Sequence, residues 1–245
     1  MFGQMNLFVL LLLLLGVEYL EKSPTKSGLG FGAAISAKLM PLVLLPVVLL
    51  RSPRAFIVTI LSIAVFAVAV PFLIAGPKII EYYQYWFNNT IFNEVGHSNE
   101  YGYTSFDVAS VLAQLMGMSW PTTIMRVACG LILLVFPLIL LKKGSHISAF
   151  ILAFMLLPLT ATRSEPDHLI ILMPAVGLLL AYMLKKNVKA WMWCGLVALQ
   201  LTILWGYNKV IPFDTFGMLV LFAIVFTIGI RMANRSGEKE IVEMH

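Results

Sequence analysis

Long apolar runs alternate with short polar stretches along almost the whole chain. A helix that crosses the roughly 30 Å hydrocarbon core of a bilayer needs about 20 mostly apolar residues. Because a chain inside lipid must satisfy its own backbone hydrogen bonds, each run is predicted to be a helix. We therefore expect an all-α polytopic membrane protein with about seven or eight transmembrane helices, placed at 2–20, 28–50, 56–75, 126–141, 147–162, 167–184, 190–205 and 212–230.

The composition supports a membrane protein and excludes two other classes. Hydrophobic residues make up 60% of the chain and charged residues 12%, whereas soluble domains carry roughly 25% charged residues. A soluble enzyme could not bury so much apolar side chain, and a disordered chain would not contain it. The net charge of +5 does not indicate nucleic-acid binding, because the basic residues cluster in the connections between helices.

The basic residues predict the orientation in the membrane, because lysine and arginine are enriched in cytoplasmic loops. They concentrate in alternating connections, at Arg51, Arg54, Lys142, Lys143, Lys185, Lys186, Lys189, Arg231, Arg235 and Lys239. These connections and the C-terminal tail 231–245 are predicted to be cytoplasmic. The long segment 76–125 is then extracytoplasmic, and we expect an integral protein of a bacterial plasma membrane.

The run 28–50 has two interpretations. As a single span, it places Lys22 and Lys26 on the extracytoplasmic side, against the charge rule. As a re-entrant hairpin broken between Lys38 and Pro41, it leaves both flanking basic loops in the cytoplasm, and this interpretation is preferred. Each half has about ten residues, or roughly 15 Å of helix, so the turn would reach about mid-depth.

The extracytoplasmic segment 76–125 separates the N-terminal helices 1–75 from the C-terminal transmembrane helices 126–230. It begins with the aromatic cluster Tyr82–Phe87, which is typical of a membrane interface, although such rings can also stack on sugars. Apolar positions from Phe106 to Leu115 predict a short amphipathic helix on the membrane surface.

Lys38 is the residue that most strongly indicates a function. An ammonium at the centre of a membrane helix costs at least about 2.5–3.5 kcal/mol. It needs a partner, water or the negative charge of a ligand, and a lipid phosphate is the obvious anion. Snorkelling to a headgroup is the alternative, but it is less easy from the middle of an apolar run than from its end.

A second polar cluster, Arg163–His168, opens the predicted helix 167–184. Asp167 lies near the positive end of the helix dipole, next to His168. A carboxylate beside an imidazole can serve acid–base chemistry or bind sugar hydroxyls, and an ordinary helix cap is the alternative interpretation.

Several chemistries lack their sequence signatures. The chain has no Gly-rich nucleotide loop, no Cys and His spacing for a metal and no Gly-x-Ser-x-Gly elbow. Gly28, Gly30 and Gly32 allow close packing between helices instead. We therefore expect no cofactor and no metal, and an energy-rich lipid rather than a nucleotide as substrate.

The N-terminal motifs resemble those of glycosyltransferase family 87. The resemblance is carried by Gly3-Gln4-Met5-Asn6 before a Leu-rich helix, by Gly28 to Pro41, and by Arg51-x-x-Arg54-Ala55. Looser counterparts are Asn99 to Ser105 and Ser164 to His168. Such a resemblance implies the GT-C membrane fold and an activity like that of polyprenyl-phosphate-mannose-dependent α-1,2-mannosyltransferases.

The resemblance implies transfer of a hexose such as mannose from a polyprenyl-phosphate-linked sugar to a lipid-linked or glycan acceptor, on the extracytoplasmic face. Lys38 and Arg163 would bind the donor phosphate, among membrane lipids. The candidate sugar- or acceptor-binding residues are Gln4, Asn6, Asn99 and His168. No catalytic base is assigned, and Asp167 and Glu100 are only weak candidates for it.

In one respect the chain departs from the family pattern. The catalytic aspartate of the family lies upstream of the Gly-Gln-x-Asn motif, so we expect this sequence to correspond to a C-terminal portion that lacks that region. Three alternatives stay open: the reading frame is truncated, a partner supplies the rest, or the protein is inactive. The alternative hypothesis for the function is a non-catalytic membrane protein, such as a lipid-linked glycan transporter or an accessory subunit.

Overall fold

A computed structural model describes residues 2–88, 108–117, 123–160, 170–186, 189–205, 207–208 and 211–243. These residues are helical apart from the turns and one antiparallel ribbon of two short strands. The chain divides into two compact units, Met1–Thr104 and Ser105–His245. The all-α prediction is thus confirmed for the part of the chain that the structure describes.

Within residues 2–88, the described part of the first unit, there are six α-helices with a 3₁₀ turn and a π-helical segment between them. In chain order they are α1 Phe2–Glu18, α2 Pro24–Ala37, the 3₁₀ turn Met40–Leu44, α3 Leu45–Arg51, α4 Pro53–Ile63, the π segment Ala64–Ala69, α5 Val70–Ala75 and α6 Lys78–Phe87. The helix break falls where the sequence has Lys38 and Leu39.

Glycines bring α2 very close to the helices on either side of it. A Cβ on Gly28 would lie 2.5 Å from the Val58 Cβ, and one on Gly32 would lie 2.3 Å from the Ser62 Cβ, so these two glycines face α4. Gly30 faces α1, where a Cβ would lie 3.1 Å from the Gly16 backbone nitrogen. The prediction that these glycines serve close helix packing is confirmed.

The same contacts fix the directions of the helices. Moving four residues along α2, from Gly28 to Gly32, moves the contact four residues along α4, from Val58 to Ser62. Helices α2 and α4 are therefore parallel. Helix α1 is antiparallel to α2, because Ser27 near the start of α2 donates a 2.6 Å hydrogen bond to the carbonyl of Gly16 near the end of α1.

Serine caps and prolines fix where α2 and α4 begin. The Ser23 and Ser52 side chains accept hydrogen bonds from the backbone N–H groups of Lys26 and Ala55, and a proline occupies the first position of each helix, a combination that favours helix starts. Helix α2 thus has 14 residues, about 21 Å. The expected half of about ten residues was too short, because hydropathy alone misses this polar first turn.

A proline explains the irregular stretch in the helix that runs from α4 to α5. Pro71 has no N–H to donate to the carbonyl of Ala67 four residues earlier, and π-helical geometry covers Ala64–Ala69. The Tyr83 hydroxyl of α6 donates a hydrogen bond to this Ala67 carbonyl. Helix α6 therefore folds back along α5, after a turn at Gly76 with a φ of 63°.

The second unit is built around one helix whose side chains are buried on all sides. Its elements are α7 Val108–Leu115, α8 Thr123–Lys142, α9 His146–Thr160, α10 Met173–Lys186, α11 Ala190–Trp205, β1 Tyr207–Asn208, β2 Ile211–Pro212 and α12 Phe213–Glu243. Helix α9 is the central one, and its residues from Ser148 to Leu159 are buried. The Phe136 ring of α8 packs edge-on against Phe222 and Phe226 of α12, with centroid distances of 5.6 and 5.1 Å.

Three helices among the described residues are long and apolar enough to cross a membrane: Pro53–Ala75, Ile124–Lys142 and Thr215–Asn234. Four shorter apolar helices accompany them, at Met5–Glu18, Met40–Arg51, His146–Thr160 and Met192–Ile203. The chain is therefore a membrane protein, and the count of seven or eight spans stays a prediction. For the short helix predicted from Phe106 to Leu115, the structure has a helix at Val108–Leu115, α7, and its position on the membrane surface stays a prediction.

Candidate functional site

Two of the polar residues selected from the sequence contact each other. The Lys38 ammonium donates a 2.8 Å hydrogen bond to the Asn6 side-chain carbonyl oxygen, Oδ1. Asn6 is fully buried, and Lys38 is half-buried. The 32 residues that separate them in the chain are brought together because α1 and α2 are antiparallel.

The backbone around Lys38 leaves the helix at this point. Lys38 is extended, with φ −155° and ψ 124°, while its N–H still donates to the carbonyl of Ala34. Pro41 has no N–H for the carbonyl of Ala37, and its ring would clash with that carbonyl if the helix continued. The break thus places the Lys38 side chain where α2 ends and the 3₁₀ turn begins.

An amide partner orients the ammonium without neutralising it. An ammonium has three N–H donors, and a side-chain carbonyl accepts one of them without contributing a formal charge. Bonds from a charged donor are stronger than neutral ones, so Asn6 holds the Nζ atom in a defined place. A cation held in this way can attract an anion.

The basic residues near the start of α2 have charged or aromatic partners, whereas Lys38 contacts the amide of Asn6. Lys22 contacts Glu18 and Arg51 contacts Glu21 in ion pairs whose carboxylates are exposed, and the Lys26 ammonium lies 5.2 Å from the centre of the Tyr19 ring. The hydrogen bond to Glu18 and the charge of that carboxylate raise the pKa of Lys22. These residues form a water-exposed charged end, whereas Lys38 and Asn6 lie at the far end of α2.

The sequence analysis did not select Arg126 as a candidate site residue. Arg126 lies near the start of α8, and its Nε and Nη2 atoms are buried. A buried guanidinium near the end of an apolar helix is costly, and this cost is the signal that could have identified it. It belongs to the second unit.

The remaining predicted site residues cannot be placed. Gln4 lies in α1, but its side chain is outside the described part of the chain. The others also fall outside the described residues: Asn99, Glu100, Arg163, Asp167 and His168. The described site therefore consists of Lys38 and Asn6.

Comparison with known protein families gives a match. The family model of glycosyltransferase family 87 matches residues 1–166. This range includes both residues of the described site and the glycine-containing helix between them. No curated protein and no solved structure matches the chain.

Proposed function

Since the chain belongs to glycosyltransferase family 87, we propose that it transfers a hexose such as mannose from a polyprenyl-phosphate-linked donor to a lipid-linked or glycan acceptor. A glycosyltransferase needs a sugar donor and an acceptor, and the apolar helices place this one in a membrane. The proposed setting is the extracytoplasmic side of a bacterial plasma membrane, with the C-terminus of the chain in the cytoplasm.

The hydrogen bond between Lys38 and Asn6 is the observation that carries the proposal. A lysine at the end of a helix in a hydrophobic unit needs an anion or a polar partner. The phosphate of a polyprenyl-phosphate sugar lies between a lipid tail and a sugar, so it is an anion that reaches a site inside an apolar helical unit. The lipid tail would lie along the exposed apolar side chains of that unit.

The proposed reaction is an inverting displacement. A carboxylate accepts the proton of the acceptor hydroxyl, and the hydroxyl oxygen forms a bond to the anomeric carbon. The bond between that carbon and the phosphate oxygen breaks, and the electron pair leaves with the polyprenyl phosphate. Lys38 would stabilise the negative charge that develops on the departing phosphate.

The other site residues keep their predicted roles within this proposal. Arg163 would bind the donor phosphate together with Lys38. The residues proposed to contact the sugar or the acceptor are Gln4, Asn6, Asn99 and His168. No base is assigned, and Asp167 and Glu100 are the carboxylates to test.

A comparison of donors tests the proposed function directly. Membranes that contain the protein should transfer labelled mannose from a polyprenyl-phosphate-mannose and not from a nucleotide-linked mannose. The matched control is the same membrane without the protein. Transfer from the nucleotide donor alone, with the endogenous polyprenyl phosphate removed, would contradict the lipid-linked donor.

Asn6→Asp tests whether the uncharged partner of Lys38 matters. The new carboxylate can form an ion pair with Lys38 and compete with the donor phosphate for the ammonium. We expect roughly tenfold weaker donor binding, or about 1.4 kcal/mol, with the fold retained. The measurement is photolabelling by a polyprenyl-phosphate probe at several probe concentrations.

Asn6→Leu is the companion variant, because it removes the hydrogen bond and adds no charge. A smaller loss in Asn6→Leu than in Asn6→Asp would assign the effect to charge neutralisation. Unchanged photolabelling of Asn6→Asp would contradict a phosphate site at Lys38.

A further inference from the structure

We infer that residues 24–51 form a re-entrant hairpin that enters the membrane from the charged end of the first unit, and that Lys38 at its turn is reached from the opposite side of the membrane. The ligand part of this inference, a lipid phosphate bound at the turn, rests on the proposed function. The topology part rests on contacts within the first unit alone.

The directions of the helices require a return between α2 and α4. These two helices are parallel, and the glycine-containing face of α2 contacts Val58 and Ser62 of α4. The chain must therefore come back from the end of α2 to the level of its start before α4 begins. The 3₁₀ turn and α3 are the segment that makes this return, because only Ser52 separates α3 from α4.

The lengths of the two limbs match. The outgoing limb α2 has 14 residues, about 21 Å of helix. The returning limb combines a 3₁₀ turn of 5 residues and an α-helix of 7 residues, or about 20 Å. The hairpin therefore ends at the level where it started.

A charge contact closes the base of the hairpin. Arg51 at the end of the returning limb forms an ion pair with Glu21 just before the outgoing limb. Both side chains contribute to the charged end, together with Lys22 and Lys26. A single span would instead put Arg51 and Glu21 on opposite sides of the hydrocarbon core, roughly 30 Å apart.

The depth of Lys38 follows from the register between α2 and α4. Gly32 packs on Thr59 and Ser62, so Lys38, six residues further along α2, lies level with about residues 65–68 of the parallel helix. The helix Pro53–Ala75 has 23 residues and is a candidate for a full crossing. Lys38 is then about 20 Å from the Pro53 end and about 13 Å from the Ala75 end.

Helix α6 reaches the same level from the other direction. The hydrogen bond from Tyr83 to the Ala67 carbonyl places an aromatic side chain at the depth of Lys38. The hairpin thus rises from the charged end while α6 descends from the opposite end. A phosphate carried by a lipid in the Lys78-side leaflet has the shorter path to Lys38.

Cysteine labelling of the full chain tests this topology. In a background with Cys129 and Cys194 replaced by serine, single cysteines are placed at three exposed positions by Lys26→Cys, Arg54→Cys and Lys78→Cys. A membrane-impermeant maleimide is added to right-side-out and to inverted vesicles. We expect Lys26→Cys and Arg54→Cys to react from one side, and Lys78→Cys from the other. Reaction of Lys26→Cys and Arg54→Cys from opposite sides would overturn the hairpin.

Leu39→Cys tests access to the turn and leaves Lys38 in place. A cationic thiosulfonate should modify it roughly tenfold faster from the side that labels Lys78→Cys, since a charged reagent does not cross the hydrocarbon core readily. Faster modification from the Lys26 side, or none from either side, would overturn the inferred access.

Protection of Leu39→Cys identifies the anion. Vesicles that contain polyprenyl phosphate should slow its modification severalfold, while inorganic phosphate at the same concentration should not. Equal protection by both would indicate a free phosphate site, and protection by neither would overturn the ligand part. The labels at Lys26→Cys and Arg54→Cys do not depend on sugar transfer, so a failed topology and a failed function are distinguishable.

Discussion

We expect Lys38→Met to lower sugar transfer from the proposed polyprenyl-phosphate donor by on the order of 10²-fold or more, because it would remove the cation proposed to stabilise the departing phosphate. Loss of one preorganised donor to a developing negative charge typically costs about 3–4 kcal/mol. The methionine side chain is also unbranched and fits an apolar site, so the variant should fold. The measurement is kcat/KM for the lipid-linked donor, together with photolabelling by a polyprenyl-phosphate probe.

Two variants serve as controls for Lys38→Met. Lys22→Met removes a lysine from the charged end, where the ammonium is exposed and paired with Glu18, and should leave transfer unchanged. Lys38→Arg keeps the positive charge with a different geometry and should retain part of the activity. Wild-type transfer and photolabelling in Lys38→Met would show that Lys38 does not bind the donor phosphate.

We expect Gly32→Ala to destabilise the first unit, although replacing glycine by alanine usually stabilises a helix. The new Cβ would lie 2.3 Å from the Ser62 Cβ, so α2 and α4 must separate or shift. Overpacking of this kind typically costs about 1–3 kcal/mol. For a chain of this length, we expect thermal unfolding in detergent to occur about 5–10 °C lower.

The control for Gly32→Ala is Gly177→Ala in α10, where a Cβ would have no atom within 4 Å. Gly177→Ala should leave the unfolding temperature unchanged or slightly raised, because alanine favours a helix. Adding Ser62→Gly to Gly32→Ala removes the atom that clashes and should recover part of the loss. Additive effects of the two substitutions would contradict a direct contact at this position.

Much of the first unit could be predicted from the sequence, because a chain inside lipid can adopt few backbone conformations. Apolar runs must be helices, and Pro41 must interrupt the run that contains Lys38. The start of α2 at Pro24 was missed because its first turn is polar. A serine that can cap a helix, Ser23, followed directly by a proline is the sequence signal that could have predicted this helix start.

The contacts of the site could be predicted only in part. The cost of a charge in the membrane selected Lys38, and the family resemblance selected Asn6. The requirement that a membrane cation has a partner could have suggested their pairing, since Asn6 is a polar residue in a Leu-rich helix. The pairing itself depends on the register between α1 and α2. The close approach of the Gly16 and Gly30 backbones, neither of which carries a Cβ, sets this register, and hydropathy does not encode it.

The position of α2 between two helices has a consequence for biosynthesis. Its glycine-containing face is covered by α4, which the ribosome makes later, and its 14 residues are fewer than a stable independent crossing needs. We therefore expect α2 to take its final place in the bilayer only after α4 has been made, so that the two segments enter the membrane as a pair.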